Sequence, residues 1–237
     1  MKTNTKLTKL ILIILLIPFV LVSCGYYRRP KCARWNRCYS CFVDNMKCEA
    51  PCWQGITPGL TTRAEANEIL ENLDFIESYI YTEKSTLPFN GRYIIRDKQE
   101  AWMGFLYLLE DKVVYMSFFG ELSATFGEAE EQIAPAQKVL LFSHYLQGTT
   151  IEVYNFDQGV VYGTAGMYGS FRNDRLEPNT TINTLDFFDY EMISELIEEN
   201  FFTDRKFQSG NFMDNLQDWQ GYGELLDLYE LVEVSSY

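Results

Sequence analysis

The chain of 237 residues carries 33 acidic against 20 basic side chains, a net charge of −13, with 47% apolar and 16% aromatic residues. Such acidity excludes a nucleic-acid-binding surface of the usual basic kind, and so much aromatic and aliphatic mass excludes a disordered chain. The length allows one large domain or two small ones.

Lys2, Lys6 and Lys9 precede an almost unbroken apolar run over residues 10–22. That run is short for a membrane-spanning helix and has the form of a signal-peptide core. It ends in Leu21-Val22-Ser23-Cys24, the lipobox pattern of bacterial lipoprotein signals. The expectation is therefore a signal peptide over 1–23 and a mature chain that begins at Cys24, whose thiol takes the lipid (palmitate-type acyl chains). An ordinary secretory signal with a coincident cysteine is the alternative. Each buried CH₂ contributes about 0.8 kcal/mol, so two acyl chains anchor stably where one does not. The expected location is the extracytoplasmic face of a cell membrane.

Residues 24–47 read as a basic, cysteine-rich segment next to that anchor. Arg28, Arg29, Lys31, Arg34 and Arg37 are interleaved with Tyr26, Tyr27 and Trp35. Basic side chains near anionic lipid are worth about 1 kcal/mol each, and Tyr and Trp favour the headgroup layer. Membrane-surface contact is expected of the five cations; a solvated linker is the alternative. Beyond them the chain is strongly acidic, which suits cationic partners or divalent ions.

Once Cys24 is lipidated, Cys32, Cys38, Cys41, Cys48 and Cys52 remain, and no cysteine follows. In an oxidising compartment these are disulfide candidates, Cys48 with Cys52 first and a second bridge among the other three. One cysteine is left over. The C-x₂-C-x₆-C-x₃-C spacing of Cys38, Cys41, Cys48 and Cys52 also supplies four thiolates of the zinc-site kind, although exported thiols rarely stay reduced.

Pro58-Gly59 is turn punctuation, and Thr62-Arg-Ala-Glu65 has the form of a capping box. Ala66, Ile69, Leu70 and Leu73 then mark one buried face of a helix over about 62–73. Strands are expected over 92–96, 101–109 and 113–119, with Glu110-Asp-Lys112 as a hairpin turn. A second block repeats this order more loosely. It has a short helix near 122–126, strands over 139–145, 149–156 and 160–164, and turns at Gln147-Gly148 and Asp157-Gln-Gly159. Residues 170–183 read as a polar loop, and Asp189 as the cap of a helix carrying Met192, Ile193, Leu196, Ile197 and Asn200. The aromatic-rich end is expected to pack back on the sheet. The fold class is thus α+β: a helix followed by antiparallel β-hairpins, as two tandem units (55–119 and 120–168) of one domain (48–170). A loop plus a C-terminal helical, aromatic segment (171–237) completes it.

From Gly55-Ile-Thr-Pro-Gly59-Leu-Thr-Thr-Arg-Ala-Glu65 through Leu70 the chain resembles the helix-opening motif of small SmpA/OmlA-type lipoproteins, which share the β-lactamase-inhibitor-protein-like fold. Phe126-Gly127-Glu128-Ala129 echoes the end of such a helix. The wider pattern Cys48-x-x-Pro51-Cys52-Trp53-x-Gly55-Ile56-x-Pro58-Gly59-x-Thr61 is similar to the signature of a group of uncharacterised bacterial lipoproteins. The first resemblance implies an antiparallel sheet behind the helix and a role in binding proteins, as scaffold or inhibitor.

Catalytic patterns are scarce. His144 is the single histidine and lies in an alternating apolar run, and neither G-x-S-x-G, S-x-x-K nor H-E-x-x-H occurs. No catalytic residue, metal ligand set or cofactor is assigned. The expected role is a lipid-anchored binding or scaffolding protein with an envelope protein as partner. The competing reading is an extracytoplasmic glycan hydrolase that uses a carboxylate pair, whose spacing no sequence reveals. Trp53, Trp102 and Trp219 are candidates for an aromatic platform, with core packing the preferred reading.

Overall fold

In the computed structural model, the residues described are 48–83, 89–98, 100–120, 122, 124–144, 148–165, 175–191, 194, 205–207 and 210–236. Two helices open equivalent stretches of chain, and both begin for the same reason. Thr62 caps α1 (Arg63–Glu71) and Thr125 caps α2 (Phe126–Gln132). In each, the threonine hydroxyl accepts from the N3 amide while a glutamate, Glu65 or Glu128, accepts from the threonine amide. Such a box satisfies two orphan donors, about 1 kcal/mol per cap. The second helix therefore starts beyond the 122–126 expected for it, because Leu122 and Ala124 precede the cap and Ile182 donates its amide to the Ala124 carbonyl.

Each helix leads into an antiparallel meander. Behind α1 stand β1 (Ile76–Thr82), β2 (Gly91–Asp97), β3 (Trp102–Leu109) and β4 (Lys112–Phe119). Behind α2 stand β5 (Lys138–His144), β6 (Gly148–Asn155) and β7 (Val160–Ala165). Later come β8 (Arg175–Leu176), β9 (Thr184–Phe188), β10 (Arg205–Phe207), β11 (Gln217–Asp218), β12 (Gly223–Glu224), a four-residue helix α3 (Leu225–Leu228) and β13 (Val232–Ser236). The main sheet runs β1-β2-β3-β4-β9-β7-β6-β5-β13-β10, with β11 on β5, and β8 and β12 form a separate pair. All pairings are antiparallel except β13 on β5. The protein is more sheet-dominated than an even α+β mixture.

The two halves meet at β4 and β9 in a pseudo-twofold arrangement. Arg63 donates its amide to Asp111 O and Val113 to Thr61 O; correspondingly, Phe126 donates to Thr180 O and Ile182 to Ala124 O. These bonds make β9 the counterpart of β4 and place the local dyad at the Ser117–Asp186 pair, the centre of the β4–β9 register. Flanking pairs obey it, with Tyr115 opposite Phe188 and Phe119 opposite Thr184.

One face of the sheet is closed by the helices and the N-terminal turn. Trp53 is fully buried there, 4.6 Å from the Phe118 ring and 6.2 Å from Phe75, and Tyr93, Ile95, Leu106 and Met116 are buried on the same face. A two-residue turn presents it: Trp53 and Ile56 exchange both backbone bonds, and Gln54 and Gly55 have φ of 55° and 96°. Cys48 and Cys52 precede it at disulfide distance, with 5.6 Å between their Cα atoms. Ahead of them, Cys32, Cys38 and Cys41 lie outside the described residues.

On the other face the halves differ. Over the second, Phe207, Phe212, Leu216, Val232 and Val234 pack on Leu140, Phe142, Tyr154, Val161 and Phe188. The aromatic end thus folds back on the sheet, and its last described residues do so as extended chain, because Leu231-Val-Glu-Val234 alternates with strand period. Of the helix expected after Asp189, only Tyr190, Glu191 and Ser194 are described, and all three are helical; Gln147 also lies outside the described residues.

Two turns give opposite predictions. Glu110 and Asp111 both take the left-handed conformation, φ 50° and 65°, in the β3–β4 hairpin without a glycine. The double change Glu110→Asn, Asp111→Gly should stabilise by about 1 kcal/mol, since non-glycine residues there cost roughly 1–2 kcal/mol each. Gly159 has φ 59°, and a Cβ on it would stand 2.0 Å from the Phe188 carbonyl of β9. Gly159→Ala should destabilise by at least about 2 kcal/mol. Urea unfolding measures both; a neutral Gly159→Ala contradicts the close approach.

Candidate functional site

Strand alternation builds the candidate surface. In β1–β4 the residues opposite the helices are Ile80, Ile94, Phe105 and Ser117, which lie side by side and continue to Asp186 of β9. Around this row stand Trp102, Phe119, Tyr107, Arg92 and Arg96. Phe89 packs over its Tyr107 end, and the Trp102 and Ile80 end is exposed among the described residues. Trp102 is 54% exposed and Ile80 50%, while Ile94, Phe105, Tyr107 and Phe119 are half-buried.

The rings hold one another in place. Phe105 is the hub, 6.1 Å from Trp102, 5.4 Å from Phe119 and 5.9 Å from Tyr107, and the Arg92 guanidinium sits 5.2 Å from its ring centre. Tyr107 continues the chain of contacts to Phe89 at 4.8 Å and Tyr115 at 5.5 Å. Arg96 reaches Glu100 at 3.3 Å through Nη1. The Nε atoms of Arg92 and Arg96 are enclosed and have no hydrogen-bond partner. An aromatic and arginine face is the composition of protein-recognition surfaces.

Two carboxylates share this side of the sheet, and tyrosines engage both. Tyr115 donates to Asp186 Oδ2 at 2.9 Å, and Tyr154 donates to Glu152 Oε2. Burial first, and the Asp186 charge second, push the Tyr115 hydroxyl well above the ordinary tyrosine value. An opening of about 440 Å³ beside α1 contains Glu65 and Glu68. Glu65 is committed there to the Thr62 cap, whose amide bond holds its carboxyl below the usual range.

The three tryptophans of the expected platform do not converge. Trp53 is core, Trp102 lies on the open face, and Trp219 packs at the far end of the sheet on Tyr222 and Tyr229, 5.4 and 5.9 Å away. His144 ends β5, paired with Gly148 and Val234. Cys24, Arg28, Arg29, Lys31, Arg34 and Arg37 lie outside the described residues. Sequence reasoning missed Ile94, Phe105, Phe119, Arg92 and Arg96 as a group. Their signal was available as period-two alternation of aromatic and cationic residues on the side opposite the core. Comparison with protein-family models, curated proteins and solved structures gives no match.

Because the folded state raises the Tyr115 value, the neutral hydroxyl supports folding fully below about pH 10 and loses that support as pH climbs toward its folded value. Tyr115→Phe should cost about 1 kcal/mol at neutral pH by removing the bond to Asp186. It should also flatten the decline of stability above about pH 10. Urea unfolding at neutral and alkaline pH gives both numbers; an unchanged alkaline slope contradicts the assignment.

Proposed function

We propose that this chain is a membrane-anchored extracytoplasmic lipoprotein that binds or scaffolds a protein partner at the cell envelope. The partner is held by the open face of β1–β4. The observation that carries the reading is the inequality of the two half-sheets. Phe142, Tyr154 and Phe188 are sealed under the C-terminal segment, whereas Trp102, Phe105, Ile94 and Ile80 have no such cover among the described residues. An apolar patch rimmed by polar groups is where a monomer meets something else. Arg92 and Arg96 add specificity, since the half-exposed guanidinium groups favour carboxylates on the partner.

The address comes from the lipobox and Cys24, and the basic segment over 28–37 supports it by attraction to anionic lipid. Lipid at Cys24 would hold the domain within reach of the envelope, so that a partner there meets a surface already confined to its plane.

Capture from cross-linked envelope with the tagged full-length chain tests the face. A specific partner should be recovered, and the double change Trp102→Ala, Phe105→Ala should reduce recovery by more than about tenfold without loss of folding. Equal recovery by the variant contradicts the assignment. Mass spectrometry of the native protein tests the anchor. Diacylglyceryl-modified Cys24 at the mature N-terminus is expected, and a free Cys24 thiol behind an intact leader contradicts it.

A further inference from the structure

The outer edges of the two half-sheets differ as their faces do. In the second half the outer edge of β5 is closed by β11, with Gln217 opposite Val139 and Asp218 opposite Lys138. Trp219 extends the pairing by donating to the Gln137 carbonyl at 3.0 Å, and farther along β13 joins β5 in parallel. The counterpart strand is β1. Carried outward from the Ser117–Asp186 dyad, the registers equate Phe105 with Val161, Ile94 with Tyr154 and Ile80 with Lys138. The closed stretch of β5 therefore corresponds to the middle of β1, around Ile80, and β1 is the terminal strand of the sheet among the described residues.

The side chains around that edge favour one kind of occupant. Ile80 is half-exposed in the middle of β1. Arg92 lies opposite Thr82 and Arg96 opposite Ser78, on the same face as Ile80. On the reverse face the Arg63 guanidinium lies 3.8 Å over the Tyr81 ring. Three guanidinium groups thus flank a seven-residue strand in a chain whose net charge is −13; Arg96 also reaches Glu100, and the strand's own acid, Glu77, stands at its irregular first residues. The closed edge shows how charge is used at the corresponding place, where Asp218 of the added strand pairs with Lys138 Nζ at 2.5 Å. An acid held as Asp218 is would come beside Ile80, between Arg92 and Arg96. An exposed edge is a template for further pairing unless lysine, proline or a bulge blunts it. β1 has neither lysine nor proline, and its one charge, Glu77, falls at its one irregularity, between Ile76 and Ser78, which leaves the run from Ser78 to Tyr81 uncharged and regular.

We infer that the outer edge of β1 receives an extended segment of a partner protein, apolar and acidic residues alternating, as an added antiparallel strand in the place that β11 fills on β5. This deepens the binding role proposed above and rests on it for the existence of a protein partner. Main-chain bonds along β1 supply the affinity, and Ile80 with the three arginines reads the side chains.

The probe is a capped Val-Glu-Val-Glu-Val-Glu-Val peptide, titrated against the full-length chain by fluorescence anisotropy beside the same peptide with lysine for glutamate. The acidic peptide should bind at least about tenfold tighter than the basic one. N-methylation of one alternate set of peptide nitrogens should abolish binding, and methylation of the other set should change it by less than about threefold, because only every second N–H of an added strand faces its host. Hydrogen exchange across residues 76–82 should slow on binding, and Ile80→Lys should weaken it. Absence of binding, equal binding of the lysine peptide, or indifference to which nitrogens are methylated overturns the inference. Those results with partner capture intact remove the edge and leave the face; loss of both removes the binding role itself.

Discussion

The structure depends on one strand of five residues, β9, being threaded between β4 and β7. Without it two meanders would each end in an open inner edge, with rows of unpaired amides and carbonyls beside Phe118 and Tyr162. With it they become one sheet. The position at the dyad is polar on both sides, Ser117 opposite Asp186, and an aspartate in a central strand is costly unless hydrogen-bonded. Tyr115 supplies that bond from the β4 side. Beside the main-chain ladder the seam therefore carries a part-buried phenol–carboxylate contact on one face and the apolar residues Phe118, Leu185 and Phe187 on the other.

The near-symmetry of the halves supports the place proposed for function. Both helices close the same face of the sheet, and each half has one further face to dispose of. The second half spends the C-terminal residues on it. Phe212 reaches Tyr154 at 5.3 Å, and β11 and β13 take the edge of β5. In the first half the corresponding surface, uncovered among the described residues, holds Trp102, Phe105 and Ile80 with Arg92 and Arg96 around them. A duplicated architecture whose copies are covered unequally leaves a surface shaped for a cover, which is the physical content of the binding proposal.

Much of this was legible in the residues. The two Thr-x-x-Glu-Ala stretches at Thr62 and Thr125 announce capping boxes, and the first gave its helix nearly to the residue. The second misled, because Leu122 and Phe126 look like a helical pair until Thr125 is recognised as the cap between them. The β3–β4 hairpin and the β6–β7 turn were legible through alternation and Asp157-Gln-Gly159. β1 was not, since Ile76, Tyr79 and Ile80 fall at helical spacing and no turn signal separates them from α1. β9 was hidden by its brevity and by Asp186, a residue that argues against a central strand unless a distant tyrosine is known to meet it. The open face needed the register of four strands before Trp102, Phe105 and Arg92 could be placed together.

Cooperativity between the halves tests the central claim most directly. Hydrogen exchange resolved along the chain, under rising denaturant, should show β4, β9, β3 and β7 as the last to open and both half-sheets lost in one transition, as expected of a sheet joined at its middle. Separate transitions for residues 62–119 and 125–165, with β9 exchanging as fast as a loop, would contradict a seam at Ser117 and Asp186 and with it the unequal covering from which the open face is argued.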